Sequence, residues 1–290
     1  MRDHGCEIVA GLSEIYLLNY YKAPEKAKIY RQPIHQLYDR ILEMGRNEHG
    51  MLYNWFNPLS GKHDDKICDT WGYNYNAFYT LYLIDGKEEY RQAVLKVLSN
   101  LNVHYQGYQW EGNSADGYAD AIEGAINLYN REQITSVAKW IESQTQMMWA
   151  IQKPDGIIEG WHGDGNFART SLMFALWKTQ GLWIDPWRED IKIGAIQVDD
   201  VLYFSINSIK PWKGRIMFDR VRHRDFLHLP IDYPRINQFP EWFTINRDQR
   251  YRIHVDVKSD DDVILGKDLI KGLPVELEGH DKKTFIVRSG

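Results

Sequence analysis

The sequence predicts a mainly α protein with a β-rich C-terminal part, and three observations predict it. Apolar residues recur at helical spacing, in pairs of segments, over residues 1–196. Beyond residue 197 the apolar segments become short, β-branched or aromatic, and are bounded by Gly, Pro and Asp. An aspartate followed by a glycine also recurs at the start of each helical pair. We therefore predict a helical-hairpin domain over 1–196 and a small β-sandwich-like domain over 197–290.

The helical spacing predicts four pairs of helices. The first pair spans 5–21 and 24–45, and Pro24 lies in a first helical turn, where proline is favoured. The remaining predicted helices span 71–84, 87–103, 117–130, 132–151 and 166–180, with a weak continuation through 186–196. Gly181 is the expected C-terminal cap of the helix over 166–180. The predicted strands include 201–206, 215–218, 251–257 and 284–287.

The aspartate–glycine signal is a weak internal repeat. The aspartates that precede the first helix of each pair are Asp3, Asp69, Asp116 and Asp164. The glycines that follow them are 67, 45 and 48 residues apart, which suits one helical hairpin per repeat with a variable loop. Such hairpins stack into a solenoid or close into a toroid, so we expect the four helix starts on one side. Taken singly, each aspartate is also typical of an N-terminal helix cap.

Composition and charge exclude several classes of function. With 290 residues, of which 43% are hydrophobic, the chain can bury a sizeable core. A net charge of -5 argues against a nucleic-acid binder that relies on phosphate neutralisation. No membrane span or secretion signal is expected in this sequence, which leaves a cytoplasmic location and export with the signal removed both open. Cys6 and Cys68 are not at C-x-x-C spacing, so we expect two reduced, partly buried thiols rather than a zinc site or a disulfide. We expect neither a metal nor another cofactor.

Acidic and aromatic residues concentrate in the loops that lead into the first helices. Indole faces cover the apolar faces of sugar rings, and paired carboxyl groups carry out acid–base chemistry at glycosidic oxygens. The loop before residue 118 contains Trp110 and Glu111 flanked by glycines, which favours a functional role. Asp116, Asp120 and Glu123 share one helix face, which we interpret as a solvated acidic stripe rather than a cation site. The loops predict a carbohydrate cleft.

The segment 155–169 is the strongest sequence signal. It places Glu159, Trp161, His162 and Asp164 within six residues, among four glycines. The segment does not match the G-x-G-x-x-G pattern of dinucleotide sites, and the chain contains no H-E-x-x-H pair for zinc. We predict a catalytic or substrate-contacting role; the alternative is a rigid loop whose charges pair internally.

Paired helices with aromatic and acidic loops at one rim, followed by a β-rich part, resemble the six-hairpin glycosidases and the (α/α)-toroid polysaccharide lyases. The resemblance covers residues 1–196 and rests on this architecture and on the Trp-Glu and Trp-His-Gly-Asp-Gly loops. The sequence predicts seven or eight helices, whereas a complete six-hairpin toroid has twelve. Either the chain forms an incomplete arc of about four hairpins, or it is the later part of a longer protein.

The leading hypothesis is a glycoside hydrolase that acts on a uronic-acid-containing glycan, and the resemblance implies inversion at the cleaved bond. Glu159 or Glu111 would donate the proton and Asp164 or Asp116 would act as base. The residues expected to bind substrate are Trp110, Trp161, His162, Tyr118, Asn166, Arg169 and Trp71, with Arg169 and His162 meeting a substrate carboxylate.

Two rival hypotheses stay open. A polysaccharide lyase would use Tyr118 or His162 as base and Asn166 or Arg169 to neutralise a uronate. A non-catalytic glycan-binding protein would keep its binding after loss of every rim carboxylate. The partner in all three is a carbohydrate, and the oligomeric state is open.

Overall fold

A computed structural model describes residues 5–158, 165–256 and 261–290 of the chain. It confirms a helical first part and a C-terminal part built mainly of antiparallel sheets. The chain divides into two compact units. The first unit contains the residues up to Met173 together with Leu229–Pro240, and the second contains Phe174–His228 and Glu241–Gly290.

Seven of the predicted helices form, and their ends lie within three residues of the predicted ones. They are α1 (Gly5–Lys22), α2 (Pro24–Met44), α3 (Trp71–Asp85), α4 (Glu88–His104), α5 (Ala115–Tyr129), α6 (Thr135–Trp149) and α7 (Gly165–Lys178). Gly181 follows α7 with φ +80°, and its N–H donates to the Leu176 carbonyl at 2.8 Å, as expected of a left-handed cap. None of the helices in the described ranges is long and apolar enough to cross a membrane.

The helices of the first unit pack in two rows. The first members of the pairs are neighbours, because α3 packs against both α1 and α5. The second members pack behind them, α2 on α1, α4 on α3 and α6 on α5. The Thr170 hydroxyl of α7 donates to the Ala119 carbonyl of α5 at 3.2 Å, which extends the first row by one helix. Helix α3 is buried along most of its length, as its apolar and aromatic residues on all sides require.

The first row is held together by close backbone contact between α3 and α5. Both helices carry a glycine where they cross, Gly72 and Gly124. A methyl group added at Gly124 would lie 2.5 Å from the Cα atom of Gly72, well inside van der Waals contact. The two glycines thus let the start of α3 approach the second half of α5.

The second unit contains one five-stranded and one three-stranded antiparallel sheet, with strand orders β2-β3-β10-β7-β8 and β1-β4-β9. A short parallel pair joins β5 to β6. The strands are β1 (Trp183–Asp185), β2 (Lys192–Val198), β3 (Val201–Ser208), β4 (Trp212–Met217), β5 (Asp219–Arg220), β6 (Thr244–Ile245), β7 (Arg250–Val255), β8 (Asp262–Leu265), β9 (Leu273–Leu277) and β10 (Asp281–Ser289). Two four-residue helices, α8 (Arg222–Asp225) and α9 (Gly266–Leu269), lie between strands.

Both larger sheets contribute side chains to one hydrophobic core. In β3 the residues Leu202, Phe204 and Ile206 are buried in alternation, and Phe204 stacks on Phe285 of β10 at 4.6 Å between ring centroids. This period of two is the pattern expected of a strand with one buried face.

The predicted helical continuation over 186–196 is wrong. Residues Lys192–Val198 form β2, which pairs antiparallel with β3, and its side chains alternate between half-buried and exposed. Strand pairing thus overrides the weak helical spacing of this segment. The fourth predicted hairpin consequently has only its first helix, α7.

Candidate functional site

The starts of four helices surround one pocket in the first unit. The pocket has a volume of about 270 Å³ and is polar along most of its wall. Its lining residues in the described chain are Cys6, Glu7, Asp69, Thr70, Tyr73, Glu111, Asp116, Asp120, Asn166, Arg169, Ile236 and Asn237. These residues include the first turns of α1, α3, α5 and α7, so the prediction that the four helix starts lie on one side is confirmed.

Asp116 is free to face this pocket because another residue caps its helix. The side chain of Ser114, not that of Asp116, accepts the N–H of Gly117 at 3.0 Å. Asp69 likewise does not cap α3: among the described residues its Oδ1 atom accepts the adjacent N–H of Thr70, at 2.8 Å, and no side chain caps the helix. For these two aspartates the capping interpretation is wrong, and both carboxyl groups line the pocket.

Asp120 of α5 is the most perturbed of the pocket carboxyl groups. Its Oδ1 atom accepts a hydrogen bond of 2.7 Å from the Tyr73 hydroxyl and a longer one, 3.5 Å, from the side-chain amide of Asn166. Burial raises the pKa of Asp120 to about 8; the Tyr73 hydrogen bond lowers it, and the nearby Asp116 and Asp69 raise it again. A carboxyl group in this environment holds a proton at neutral pH.

The second oxygen of Asp120, Oδ2, has no hydrogen-bond partner within the described ranges. Since Oδ1 accepts from Tyr73, a proton on Asp120 would be carried by Oδ2.

Asp69 lies immediately before α3 and lines the same pocket as Asp120. Burial raises the pKa of Asp69 to about 6; the N–H of Thr70 opposes this, and the charges of Glu111 and Asp116 add to it. Asp69 is thus the more acidic of the two perturbed aspartates. Two carboxyl groups whose pKa values are pushed apart are the usual arrangement for an acid and a base that act together.

Glu123 lies one turn below Asp120 and is fully buried. Arg169 of α7 donates to its Oε2 atom through Nε at 2.8 Å and approaches it through Nη2 at 2.5 Å. The backbone N–H of Asn237 donates to Oε1 at 2.7 Å, and the Tyr73 hydroxyl lies 3.1 Å from Oε2. Glu123 thus connects α3, α5, α7 and the segment Leu229–Pro240 beneath the pocket.

The solvated acidic stripe predicted for Asp116, Asp120 and Glu123 is wrong. The Asp120 side chain is 14% exposed and that of Glu123 is 0% exposed, because α3 and α7 pack over this face of α5. Helical spacing places the three residues on one face but does not say what covers that face.

The turn Trp110–Gly112 forms the rim of the pocket next to α5. Glu111, Gly112 and Asn113 all have positive φ, which reverses the chain sharply. The Ser114 hydroxyl donates to Glu111 Oε2 at 2.6 Å. Gly117 permits this turn to pack directly on α5, because a Cβ atom there would lie 2.5 Å from that of Glu111. The predicted functional loop therefore contributes Glu111 to the pocket.

Four of the predicted site residues line the pocket, and three others do not. Glu111, Asp116, Asn166 and Arg169 line the pocket, and the Asn166 amide donates a short hydrogen bond to Asp116 Oδ1. The side chains of Trp71, Trp110 and Tyr118 do not line the pocket, because they are fully buried in the core.

The burial of Trp110 has a clear cause. Its indole N–H donates to Gln144 at 3.0 Å, and its ring packs edge-on against Trp140. A ring with no exposed face has no surface on which a sugar can stack.

The remaining predicted residues, Glu159, Trp161, His162 and Asp164, lie outside the described residues. Their predicted roles stay predictions.

Sequence reasoning missed the residues at the centre of the pocket, Asp69, Tyr73 and Asp120. The repeat itself contained a usable signal, since Asp69 and Tyr73 flank the glycine of the second repeat. Cys6 and Cys68 are both free, as predicted, and both are buried; Cys6 contributes to the pocket wall.

No protein-family model matches this chain, and no curated protein matches it.

Proposed function

We propose that this pocket hydrolyses glycosidic bonds by carboxyl acid–base catalysis, with Asp120 as the proton donor and Asp69 as the base. The observation that carries the proposal is the pair of partly buried aspartates with pKa values of about 8 and 6 that line one pocket. An acid that is protonated and a base that is ionised at the same pH are the two groups that glycoside hydrolysis requires.

Each of the two groups has the support that its role needs. Asp120 would give its proton from Oδ2 to the oxygen of the leaving sugar, while the Tyr73 hydroxyl holds Oδ1 in place. Asp69, ionised above about pH 6, would take a proton from the attacking water. Asp116, held by Asn166, keeps negative charge beside Asp120 and so favours retention of the Asp120 proton.

The geometry supports a hydrolase better than a lyase. A lyase needs a free group to neutralise the uronate carboxylate, but Arg169 is paired with Glu123 and Asn166 with Asp116. The Tyr118 hydroxyl, named as a candidate lyase base, donates to Asn113 at 2.9 Å from within the core.

The two-row packing of the helices supports a related proposal for the fold. In this proposal α1–α6 are three hairpins of an (α/α) toroid, and α7 begins a fourth. The helix starts of its inner row, α1, α3, α5 and α7, would form the rim that carries the site.

The test compares Asp120→Asn and Asp69→Asn with Glu7→Gln on a panel of aryl glycosides and oligosaccharides. Glu7 lines the same pocket but is exposed, so its variant controls for loss of one negative charge. We expect both aspartate variants to lose roughly 10²-fold or more in kcat, and Glu7→Gln to change little.

Three outcomes would overturn the proposal. One is full activity of Asp120→Asn on a glycoside that the parent cleaves. Another is an unsaturated, ultraviolet-absorbing product, which would indicate a lyase. The last is binding without cleavage of any member of the panel, which would indicate a glycan-binding protein.

A further inference from the structure

The charge of the pocket wall is strongly unbalanced. Five carboxyl groups line the pocket within the described ranges, those of Glu7, Asp69, Glu111, Asp116 and Asp120. Arg169 is the only basic side chain that the described part of the chain contributes to the same wall. The wall therefore has far more acidic than basic groups available to a ligand.

Arg169 balances these groups only in part, since it is paired mainly with Glu123 and its Nη2 atom lies 4.0 Å from Asp120 Oδ1. Its Nε and Nη2 atoms both approach Glu123 Oε2, at 2.8 and 2.5 Å, and Glu123 is fully buried. Releasing Arg169 toward a ligand would leave the buried Glu123 charge without its partner, which is costly in a protein interior. The ion pair thus contributes no net charge to the pocket.

Four helix starts point at the pocket, and their dipoles act in the opposite direction. A helix N-terminus is equivalent to about half a positive charge, so four of them supply roughly two. Even without the charge of Asp120, four carboxyl groups remain on the wall. The dipoles therefore reduce the negative potential but do not cancel it.

A sugar carboxylate placed in this pocket would meet like charges, and the described residues offer it no cation that is not already paired. A neutral sugar would avoid this repulsion, and an ammonium group would in addition find carboxylate acceptors.

We propose that the pocket selects a sugar residue bearing an ammonium group over a neutral one, and a neutral one over a uronate. The inference rests on the proposed function only in taking a sugar as the ligand. It reverses the acidic substrate expected from the sequence, whose carboxylate Arg169 and His162 were expected to meet.

The test is calorimetric titration of the intact chain with three methyl glycosides of one ring configuration, those of glucosamine, glucose and glucuronic acid. We expect the glucosaminide to bind at least tenfold more tightly than the glucuronide, with the glucoside between them. The difference should shrink as salt is added, because screening weakens interactions of partly exposed charges.

A charge reversal with a matched control makes the test specific to the pocket. Glu7→Lys places a cation on the wall, whereas Glu25→Lys makes the same change in the first turn of α2, away from the pocket. Glu7→Lys should reduce the ratio of glucosaminide to glucuronide affinity at least threefold, and Glu25→Lys should leave it unchanged.

Equal or tighter binding of the glucuronide, or binding of none of the three, would overturn the inference. Hydrolysis of a glucuronide that depends on Asp120 would also overturn it, while leaving the proposed function intact. The expected order of affinities without hydrolysis of any glycoside would refute the proposed function and leave the inference standing.

Discussion

Replacing Gly124 by alanine tests whether the close approach of α3 and α5 is a tight constraint. The added methyl group would lie 2.5 Å from the Cα atom of Gly72, about 1 Å closer than ordinary van der Waals contact. Overpacking of this kind costs about 1–3 kcal/mol, whereas alanine gains about 1 kcal/mol over glycine within a helix. The contact falls on backbone atoms, which do not rotate away, so we expect the cost to win.

Because the contact is with backbone atoms, we take the upper part of the overpacking range, about 2–3 kcal/mol. After the gain of about 1 kcal/mol, Gly124→Ala should lose roughly 1–2 kcal/mol, which corresponds to about 2–8 °C in the melting temperature of the helical unit. The control is Gly11→Ala in α1, where an added methyl group meets no atom within 4 Å. That variant should gain up to about 1 kcal/mol from helix propensity alone. Calorimetric melting of the three proteins provides the comparison. If Gly124→Ala is as stable as Gly11→Ala, the helices separate freely and the reasoning is wrong.

Three further predictions follow from the site. Glu123→Gln should destabilise the helical unit by about 3–5 kcal/mol, because it removes the ion-pair partner of Arg169. The control Glu25→Gln should cost less than about 1 kcal/mol, since the ion pair of Glu25 with Lys28 is exposed. Equal losses of unfolding free energy in urea would contradict this prediction. Hydrolytic activity should rise through about pH 6 as Asp69 ionises and fall through about pH 8 as Asp120 loses its proton. A hydrolysis rate that keeps rising above about pH 9 would exclude Asp120 as the acid. Because the pKa of Asp120 is raised on folding, its contribution to stability is present below about pH 4 and is lost as the pH rises to about 8. Asp120→Asn should therefore have a higher melting temperature than the parent at pH 8 but not at pH 4. Equal melting temperatures of the two proteins at both pH values would refute the raised pKa.

Local sequence patterns predicted the helices well because the determinants are local. The apolar spacing, Pro24 and Gly181 fix helices and their ends within a few residues of themselves. The repeat also predicted that the helix starts share one side, since equivalent positions in stacked hairpins lie at equivalent places. The segment 186–196 was predicted wrongly because its conformation depends on pairing with β3 across the two-residue turn Asp199–Asp200, which the weak helical spacing of the segment itself does not specify.

The centre of the site depends on tertiary contacts in the same way. Asp116 and Asp120 have the same spacing on α5 whether that face is exposed or covered, so the sequence pattern could not distinguish a solvated stripe from a buried acid. The identity of the N-terminal cap of α5 was equally decisive, because both Ser114 and Asp116 are good capping residues. Which of them caps the helix determines whether Asp116 is available to a ligand.

The hydrogen bond from Asn237 to Glu123 joins residues 114 positions apart and has a consequence for how the chain folds during synthesis. Helices α1–α7 leave the ribosome long before Asn237, and Phe174–His228 of the other unit comes between. Until then Glu123 Oε1 has no backbone donor, and the floor of the pocket is incomplete. The helices can therefore collapse early, but the final rigidity of the site is acquired late, after most of the chain has been made.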